Sequence, residues 1–208
     1  MESSEYTITE QKLLDLGLVD VQKLDERIAV HLVYSTPYNF MGQILYSDIH
    51  HAFLQKEVAE KLVQASDSLK HQRPDLSLLI FDAARPVSIQ KNMWTMVEGT
   101  HMENYVSNPF THIGFHNYGV AVDLTLMDGS QQPIQMGSTY DYFGIEAHTD
   151  DEEYLVEKGL ITQRELQNRR FLRKLMTDQG FSIIQSEWWH FNGSTEEYAK
   201  QNYPLIDF

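Results

Sequence analysis

Four residues in two separate stretches of the sequence have the side chains and the spacing that a hydrolytic metal site requires. His116 and Asp123 are seven positions apart, with Gly119 between them, and Glu187 lies three positions before His190. A catalytic zinc ion is held by three nitrogen or oxygen ligands and keeps one coordination position open for water. Two imidazoles and one carboxylate meet that requirement and leave one acid for proton transfer. The pattern therefore predicts a zinc hydrolase site.

Asp123 gives a separate indication of a bound cation. It lies in the mostly apolar run 120–126, where an unpaired carboxylate would be costly to bury. A metal ion is one remedy, and a salt bridge to Arg85 is the other. Arg85 in turn has two simpler roles, which are capping the helix that follows Pro86 or pairing with Asp82. The residues alone leave these alternatives open.

His112 and Glu187 can each be interpreted in two ways. His112 is four positions from His116, but Pro109 and Gly114 argue against the helix that a metal-binding pair of this spacing needs. His112 is therefore left outside the predicted site. Glu187 is either part of the site or a surface acid at the end of a strand. Convergence of several such side chains favours the site, because a hydrolytic centre needs them together.

Hydrophobic periodicity predicts a few strands and three main helices. Strands are expected at 28–34, 76–81, 120–126, 181–185 and 187–191, and residues 100–118 are expected to form an exposed loop. Helices are expected from Asp48 to about His71, from Pro86 to near Gly99, and from the capping box of Thr162 and Glu165 to Gly180. The strands are bunched late in the chain, which favours an α+β fold with a central antiparallel sheet flanked by helices.

The composition excludes several classes of function. The chain has 208 residues, a formal net charge of -14 and no cysteine. Nucleic-acid binding needs clustered Lys and Arg, which are lacking, and the absence of cysteine excludes thiolate catalysis and disulfides. No stretch reaches the roughly 20 apolar residues of a membrane span. We expect one domain over residues 1–208, located in the cytoplasm, or in the periplasm if an export signal has been removed; the oligomeric state is left open.

The motifs together resemble the M15 family of zinc peptidases, and most closely its branch of D-alanyl-D-alanine dipeptidases, which has the Hedgehog/D,D-peptidase-like fold. The resemblance covers most of the chain and is carried by a collinear set of segments. These are 34–36 with 39–42, 82–86, 116–126, 136–138, 168–170 and 187–190.

This resemblance implies a role for each candidate residue. One Zn²⁺ ion per chain would be held by His116, Asp123 and His190, with Glu187 as the catalytic base. Arg85 would lie beside the carbonyl of a small dipeptide substrate. The family's acceptor for the free amino group of the substrate matches Asp141, in the segment 136–141.

The sequence departs from the family pattern at one position. The family usually has serine two residues before the first ligand, where it helps to hold the carboxylate of the dipeptide, and this chain has Gly114. A backbone N–H group is expected to take over that role. Two alternatives to a dipeptidase remain: a D,D- or L,D-carboxypeptidase that trims peptidoglycan stem peptides, and a zinc-containing binding module without turnover, like the Hedgehog signalling domains that resemble the same fold.

Overall fold

A five-stranded mixed sheet forms the centre of the molecule, and a separate two-stranded sheet lies beside it. The computed structural model describes residues 6–208. Its strands are β1 Leu18–Asp20, β2 Ala29–Val30, β3 Phe53–Gln55, β4 Leu76–Asp82, β5 Ala121–Asp128, β6 Ser182–Ile183 and β7 His190–Asn192. The central sheet has the order β2-β4-β5-β7-β6, in which only β2 and β4 are parallel. The expected antiparallel sheet is therefore confirmed, with one parallel strand at its edge.

Helices flank this sheet. They are α1 Ile8–Asp15, α2 Val21–Leu24, α3 Lys56–Gln72, α4 Val87–Val97, α5 Glu152–Glu157, α6 Gln163–Thr177 and α7 Glu196–Asn202. Helix α3 packs on β4 and α6 through a buried apolar stripe whose members are Val58, Leu62, Ala65 and Leu69. That stripe follows the helical spacing from which this helix was predicted. Within residues 6–208, no helix combines the length and the apolar character that a membrane span needs.

Helix α6 begins where the sequence predicts it. The side chain of Thr162 accepts a hydrogen bond from the backbone N–H of Glu165, and the Glu165 side chain accepts one from the backbone N–H of Thr162. This reciprocal pair satisfies two N–H groups at the helix start that have no partner within the helix. The helix ends at Thr177, and Gly180 follows with a left-handed φ of +79°.

The predicted start of the longest helix was wrong. Helix α3 begins at Lys56 and not at Asp48, because residues 53–55 form β3 and pair with β1 through the register Leu18↔Gln55. All three residues of β3 are buried, so their apolar members extended the helical pattern although they belong to a strand. Asp48 instead accepts a hydrogen bond from the Thr9 hydroxyl of α1.

The strands predicted at 76–81 and 120–126 are present as β4 and β5, whereas the other three predicted strands are shorter in the structure. The strand expected at 28–34 pairs only at Ala29 and Val30, and a 3-10 turn at Val33–Ser35 follows it. The two closing strands are reduced to β6 and β7, and residues 184–189 between them are irregular. Both departures bring side chains to the edge of the cavity described below, among them Tyr34 and Glu187.

Candidate functional site

Three neighbouring strands place acidic and imidazole side chains in one row across the sheet. Asp123 of β5 is the register partner of His190 in β7 on one side and of Asp82 in β4 on the other. The pairing of β4 with β5 is irregular between Ile80 and Asp82. In a regular ladder Phe81 would oppose Asp123, so the bulge is what brings Asp82 to that position.

His116 reaches the same row from a 3-10 turn, Phe115–Tyr118, just before β5. Gly119 ends the turn with a left-handed φ of +68°, and a Cβ there would lie 2.7 Å from Cδ2 of Leu18. Both the backbone conformation and the lack of space therefore require glycine. The turn returns the chain toward the sheet, so that a donor atom of each of His116, Asp123 and His190 lies within 4.8 Å of the others.

The spacing of these donor atoms fits a tetrahedral metal ion. Asp123 Oδ1 is 3.3 Å from His116 Nε2 and 3.0 Å from His190 Nδ1. The two imidazole nitrogens are 3.2 Å apart. Tetrahedral ligands at roughly 2.0–2.1 Å from zinc lie about 3.3 Å from one another. The donor set of two imidazoles and one carboxylate is also one that zinc prefers.

The other nitrogen of each imidazole is held by an acceptor. His116 Nδ1 lies 2.7 Å from the carbonyl oxygen of Ala83, and His190 Nε2 lies 2.8 Å from Oδ1 of Asn192. Donation of N–H to these oxygens leaves the facing nitrogens, Nε2 of His116 and Nδ1 of His190, as lone-pair donors. Asn192 was not predicted from the sequence, although it lies only two residues after His190.

The charges of this cluster are strongly coupled. Burial alone would raise the pKa of Asp123, but the imidazoles of His116 and His190 outweigh it and hold that pKa well below its usual range. Burial alone would lower the pKa of His116, and the neighbouring Asp123 carboxylate instead raises it above the ordinary value. In the metal-free protein the carboxylate therefore stays ionised and attracts positive charge.

Glu187 lies beside the three candidate ligands, but its carboxylate is farther from them than their donor atoms are from one another. Its Oε2 is 3.9 Å from His190 Nδ1. Burial raises the pKa of Glu187 to about 8; His190 opposes this shift, and the carboxylates of Asp123 and Asp141 add to it. A carboxyl group that titrates near neutrality in the metal-free site suits proton transfer.

Arg85 is buried and held in place by two side chains. Its Nε and Nη2 donate to Oδ2 of Asp82 at 2.9 and 2.5 Å, and its Nη1 donates to Oε1 of Gln90 at 2.8 Å. Its Nη2 is also 3.9 Å from Asp123 Oδ2, and its guanidinium lies 5.2 Å from the ring centre of Tyr34. Two of the alternatives that the sequence left open are therefore present together: Arg85 pairs closely with Asp82, and it forms a longer ion pair with Asp123. The pair with Asp82 fixes Arg85 within the site.

Asp141 sits in an unusual backbone conformation at the end of the segment 136–141. Its φ is +56°, a left-handed value that is uncommon for a residue other than glycine. The Tyr34 hydroxyl donates to Asp141 Oδ2 at 2.9 Å. Burial raises the pKa of Asp141 to about 8, although that hydrogen bond opposes the shift. Among the described residues, no Lys, Arg or His side chain forms an ion pair with Asp141.

Two tyrosines connect Asp141 with the metal-ligand candidates. The Tyr140 hydroxyl donates to Asp123 Oδ2 at 3.0 Å and lies 3.3 Å from the Tyr34 hydroxyl, which itself donates to Asp141. Neither tyrosine was predicted as a site residue. Their segments carry the family resemblance, but a tyrosine has no spacing rule that distinguishes a site residue from a core residue.

Helix α6 anchors the loop that carries Tyr140 and Asp141. The buried guanidinium of Arg169 donates to three backbone carbonyls, those of Met136, Glu146 and His148. These carbonyls lie before and after residues 140 and 141. The loop is therefore tied down at both ends by one side chain.

All six residues predicted to form the site line one cavity of about 230 Å³. They are Arg85, His116, Asp123, Asp141, Glu187 and His190. The cavity thus brings together, in one small volume, a candidate metal site, a candidate base, a fixed guanidinium and a carboxylate without an ion-pair partner. The arrangement can bind a divalent cation and move a proton beside it.

Comparisons with known proteins agree with this chemistry. Residues 14–206 match the M15 peptidase family model described as D-ala-D-ala dipeptidase. The chain is 31% identical over 189 residues to the D-alanyl-D-alanine dipeptidase of Escherichia coli, covering 91% of this chain and 89% of that protein. It is 25% identical to the enzyme of the same name from Enterococcus faecium, over 89% and 95% of the two chains, and 27% identical to that from Synechocystis, over 71% and 72%.

Proposed function

Because the chain belongs to the M15 family of D-Ala-D-Ala dipeptidases, we propose that it hydrolyses D-Ala-D-Ala with one zinc ion held by His116, Asp123 and His190. The observation that carries this proposal is the spacing of the three donor atoms, which are as far apart as the ligands of a tetrahedral zinc ion. Glu187 and Arg85 line the same cavity. When bound, zinc supplies a Lewis acid that acidifies water and polarises a carbonyl group.

Glu187 acts as the general base and then as the general acid. It lies next to His190 but is not one of the three candidate zinc ligands. Its carboxylate accepts a proton from the attacking water and returns that proton to the leaving amine. A positioned acid–base group typically contributes about 10²–10⁴-fold to the rate.

Arg85 stabilises the negative charge that develops on the carbonyl oxygen of the substrate. Asp82 and Gln90 hold the guanidinium in position, so little reorganisation is needed when the charge appears. A preorganised donor of this kind contributes about 3–4 kcal/mol to the transition state. Because Arg85 has a partner of opposite charge in Asp82, it stays buried at a tolerable free-energy cost.

Asp141 receives the ammonium group of the dipeptide. Its carboxyl group has only a tyrosine hydroxyl as a hydrogen-bond partner among the described residues. A cationic ligand would supply the missing positive charge and shift the carboxyl toward its ionised form. An acylated amino group carries no charge, so this arrangement favours a dipeptidase over a carboxypeptidase acting on stem peptides.

The test is hydrolysis by the purified zinc-loaded protein of a panel of D,D-, L,D- and L,L-dipeptides, followed as release of free amine. We expect turnover of D-Ala-D-Ala and none of an acylated tripeptide ending in D-Ala-D-Ala. Preferential hydrolysis of the acylated peptide would instead identify a carboxypeptidase. Stoichiometric zinc without turnover of any peptide would identify a binding module, in which Glu187 and Arg85 have no catalytic purpose.

We also propose that residues 1–208 act as a single catalytic domain. The family match over 14–206 supports this, and so does the distribution of the site over the chain, from Arg85 in the first half to His190 near the end. Limited proteolysis of the zinc-loaded protein should then yield no active fragment.

A further inference from the structure

The backbone N–H of Gly114 itself is not free to bind the carboxylate of a dipeptide. The N–H of Gly114 donates to Oδ1 of Asn117 at 3.2 Å. The side-chain amide of Asn117 in turn donates to the carbonyl of Arg85 at 2.8 Å, so Asn117 is fixed and fully buried. Binding of a substrate carboxylate by the Gly114 N–H would break an existing hydrogen bond.

Ser107 places a hydroxyl close to the position that a side chain on residue 114 would occupy. A Cβ built on Gly114 lies 3.8 Å from Oγ of Ser107, and both residues line the cavity. The backbone of Ser107 is held in this position, because its carbonyl accepts a hydrogen bond from Nε2 of Gln90 at 2.9 Å. Gln90 also accepts a hydrogen bond from Arg85, so the same side chain positions both Ser107 and Arg85.

The neighbouring polar side chains on this wall of the cavity are already engaged. Both ends of the Gln90 amide are used, by Arg85 and by the Ser107 carbonyl. His112 lies 3.6 Å from the carboxylate of Glu196, so an acid competes with any anion for its imidazole. Ser107 is exposed, and its hydroxyl has no hydrogen-bond partner among the described residues.

Contacts through Arg85 connect Ser107 with Asp141. The guanidinium of Arg85 lies against the ring of Tyr34, and the Tyr34 hydroxyl donates a hydrogen bond to Asp141. The same guanidinium donates to the side chain of Gln90, and Gln90 donates to the backbone carbonyl of Ser107. The carbonyl of a dipeptide lies between its two charged ends. A dipeptide with its carbonyl at Arg85 and its ammonium at Asp141 therefore leaves its carboxylate for the part of the cavity that Ser107 lines.

We propose that the Ser107 hydroxyl recognises the C-terminal carboxylate of the dipeptide, in the place of a side chain on residue 114. This inference rests on the proposed dipeptidase function. It predicts that a hydroxyl on either residue 107 or residue 114 is sufficient. Gly114 has φ -74°, and the contacts of a Cβ there are at least 3.5 Å, so serine fits at this position without strain.

The experiment measures binding, so that it does not depend on turnover. Calorimetry on the zinc-loaded Glu187→Gln protein gives the Kd of D-Ala-D-Ala and of its C-terminal carboxamide, which keeps the ammonium and the peptide bond but lacks the carboxylate. Three variants are compared in this background: Ser107→Ala, Ser107→Ala with Gly114→Ser, and Ser130→Ala, a matched control in an exposed turn outside the cavity.

We expect Ser107→Ala to weaken D-Ala-D-Ala binding about tenfold or more, the loss typical of a hydrogen bond to a charged group, and to leave carboxamide binding within about twofold. Adding Gly114→Ser should restore the dipeptide affinity, and Ser130→Ala should change neither Kd. Equal weakening of both ligands by Ser107→Ala, or no weakening, would overturn the proposal, and so would a double variant that stays as weak as Ser107→Ala. Failure of the proposed function is a separate result, since it would appear as absent hydrolysis of D-Ala-D-Ala by the unmodified protein.

Discussion

Replacement of Asp82 by asparagine tests whether the buried ion pair holds the site together. Asp82 is fully buried, accepts two hydrogen bonds from Arg85 through Oδ2 and one from the Tyr46 hydroxyl at 2.7 Å through Oδ1. Asparagine keeps the shape and one oxygen but removes the negative charge. The guanidinium of Arg85 is then left with Asp123 as its nearest carboxylate, at 3.9 Å.

The expected effect is large for a substitution that changes so little volume. Removing one partner of a buried ion pair typically lowers the free energy of unfolding by about 3–5 kcal/mol, and the retained hydrogen-bonding shape places Asp82→Asn near the lower end. For a chain of this size that corresponds to a fall in Tm on the order of 10 °C. Displacement of Arg85 by about 1 Å should lower kcat roughly 10²-fold.

The assay combines urea unfolding of the metal-free protein with kcat for D-Ala-D-Ala of the zinc-loaded protein. The matched control is Asp178→Asn, which breaks an exposed pair with Lys174 at 2.8 Å and should change stability by less than about 1 kcal/mol. If Asp82→Asn behaved like this control in both measurements, the buried charge of Asp82 would not be what positions Arg85.

Three other substitutions separate the roles assigned above. Glu187→Gln should retain one zinc per chain but lower turnover by at least about 10²-fold, as checked by metal analysis and amine release; substantial remaining activity would exclude Glu187 as the base. Tyr140→Phe removes the hydrogen bond to Asp123 Oδ2 and should weaken zinc binding about 10–100-fold in a chelator competition, and an unchanged affinity would contradict a positioning role. Burial raises the pKa of Asp141 to about 8 from an ordinary value of 3.8. Asp141 therefore contributes fully to the free energy of unfolding of the metal-free protein below about pH 4, where it is protonated in both states. That contribution is lost as the pH rises to about 8, because the carboxyl group ionises more readily in the unfolded chain. Asp141→Asn should therefore be more stable than the unmodified protein at pH 8 to 9, and a stability difference that does not vary between pH 4 and pH 9 would contradict this.

Local signals in the sequence predicted the parts of the fold that are determined locally. The capping box of Thr162 and Glu165 fixed the start of α6, and the apolar run around Asp123 identified β5. The ligand candidates followed from residue type, since a carboxylate in an apolar strand needs a positive partner. The family resemblance then added Arg85 and Asp141, for which spacing alone gives no rule.

Other features depend on contacts between distant segments and left no such signal. The start of α3 was misplaced because the pairing of β3 with β1 is not visible in the pattern of residues 53–55. Tyr34 and Tyr140 reach the site from segments 106 residues apart. Ser107 is likewise near Gly114 only because the loop between α4 and β5 folds back on itself. Each of these requires a tertiary arrangement that hydrophobic periodicity does not encode.

Because of the bulge in β4, the site residues come together only when the strands of the central sheet pair in their native register. Strand side chains alternate between the two faces of a sheet. Without the bulge, Phe81 would pair with Asp123, and the carboxylate of Asp82 would face the other side of the sheet. An unfolded chain has none of these alignments and so offers zinc no preformed centre. Binding of the ion then favours the native state by about 2.7 kcal/mol at a free concentration of 100 times its Kd, so the cellular supply of zinc would influence how much of this protein is folded.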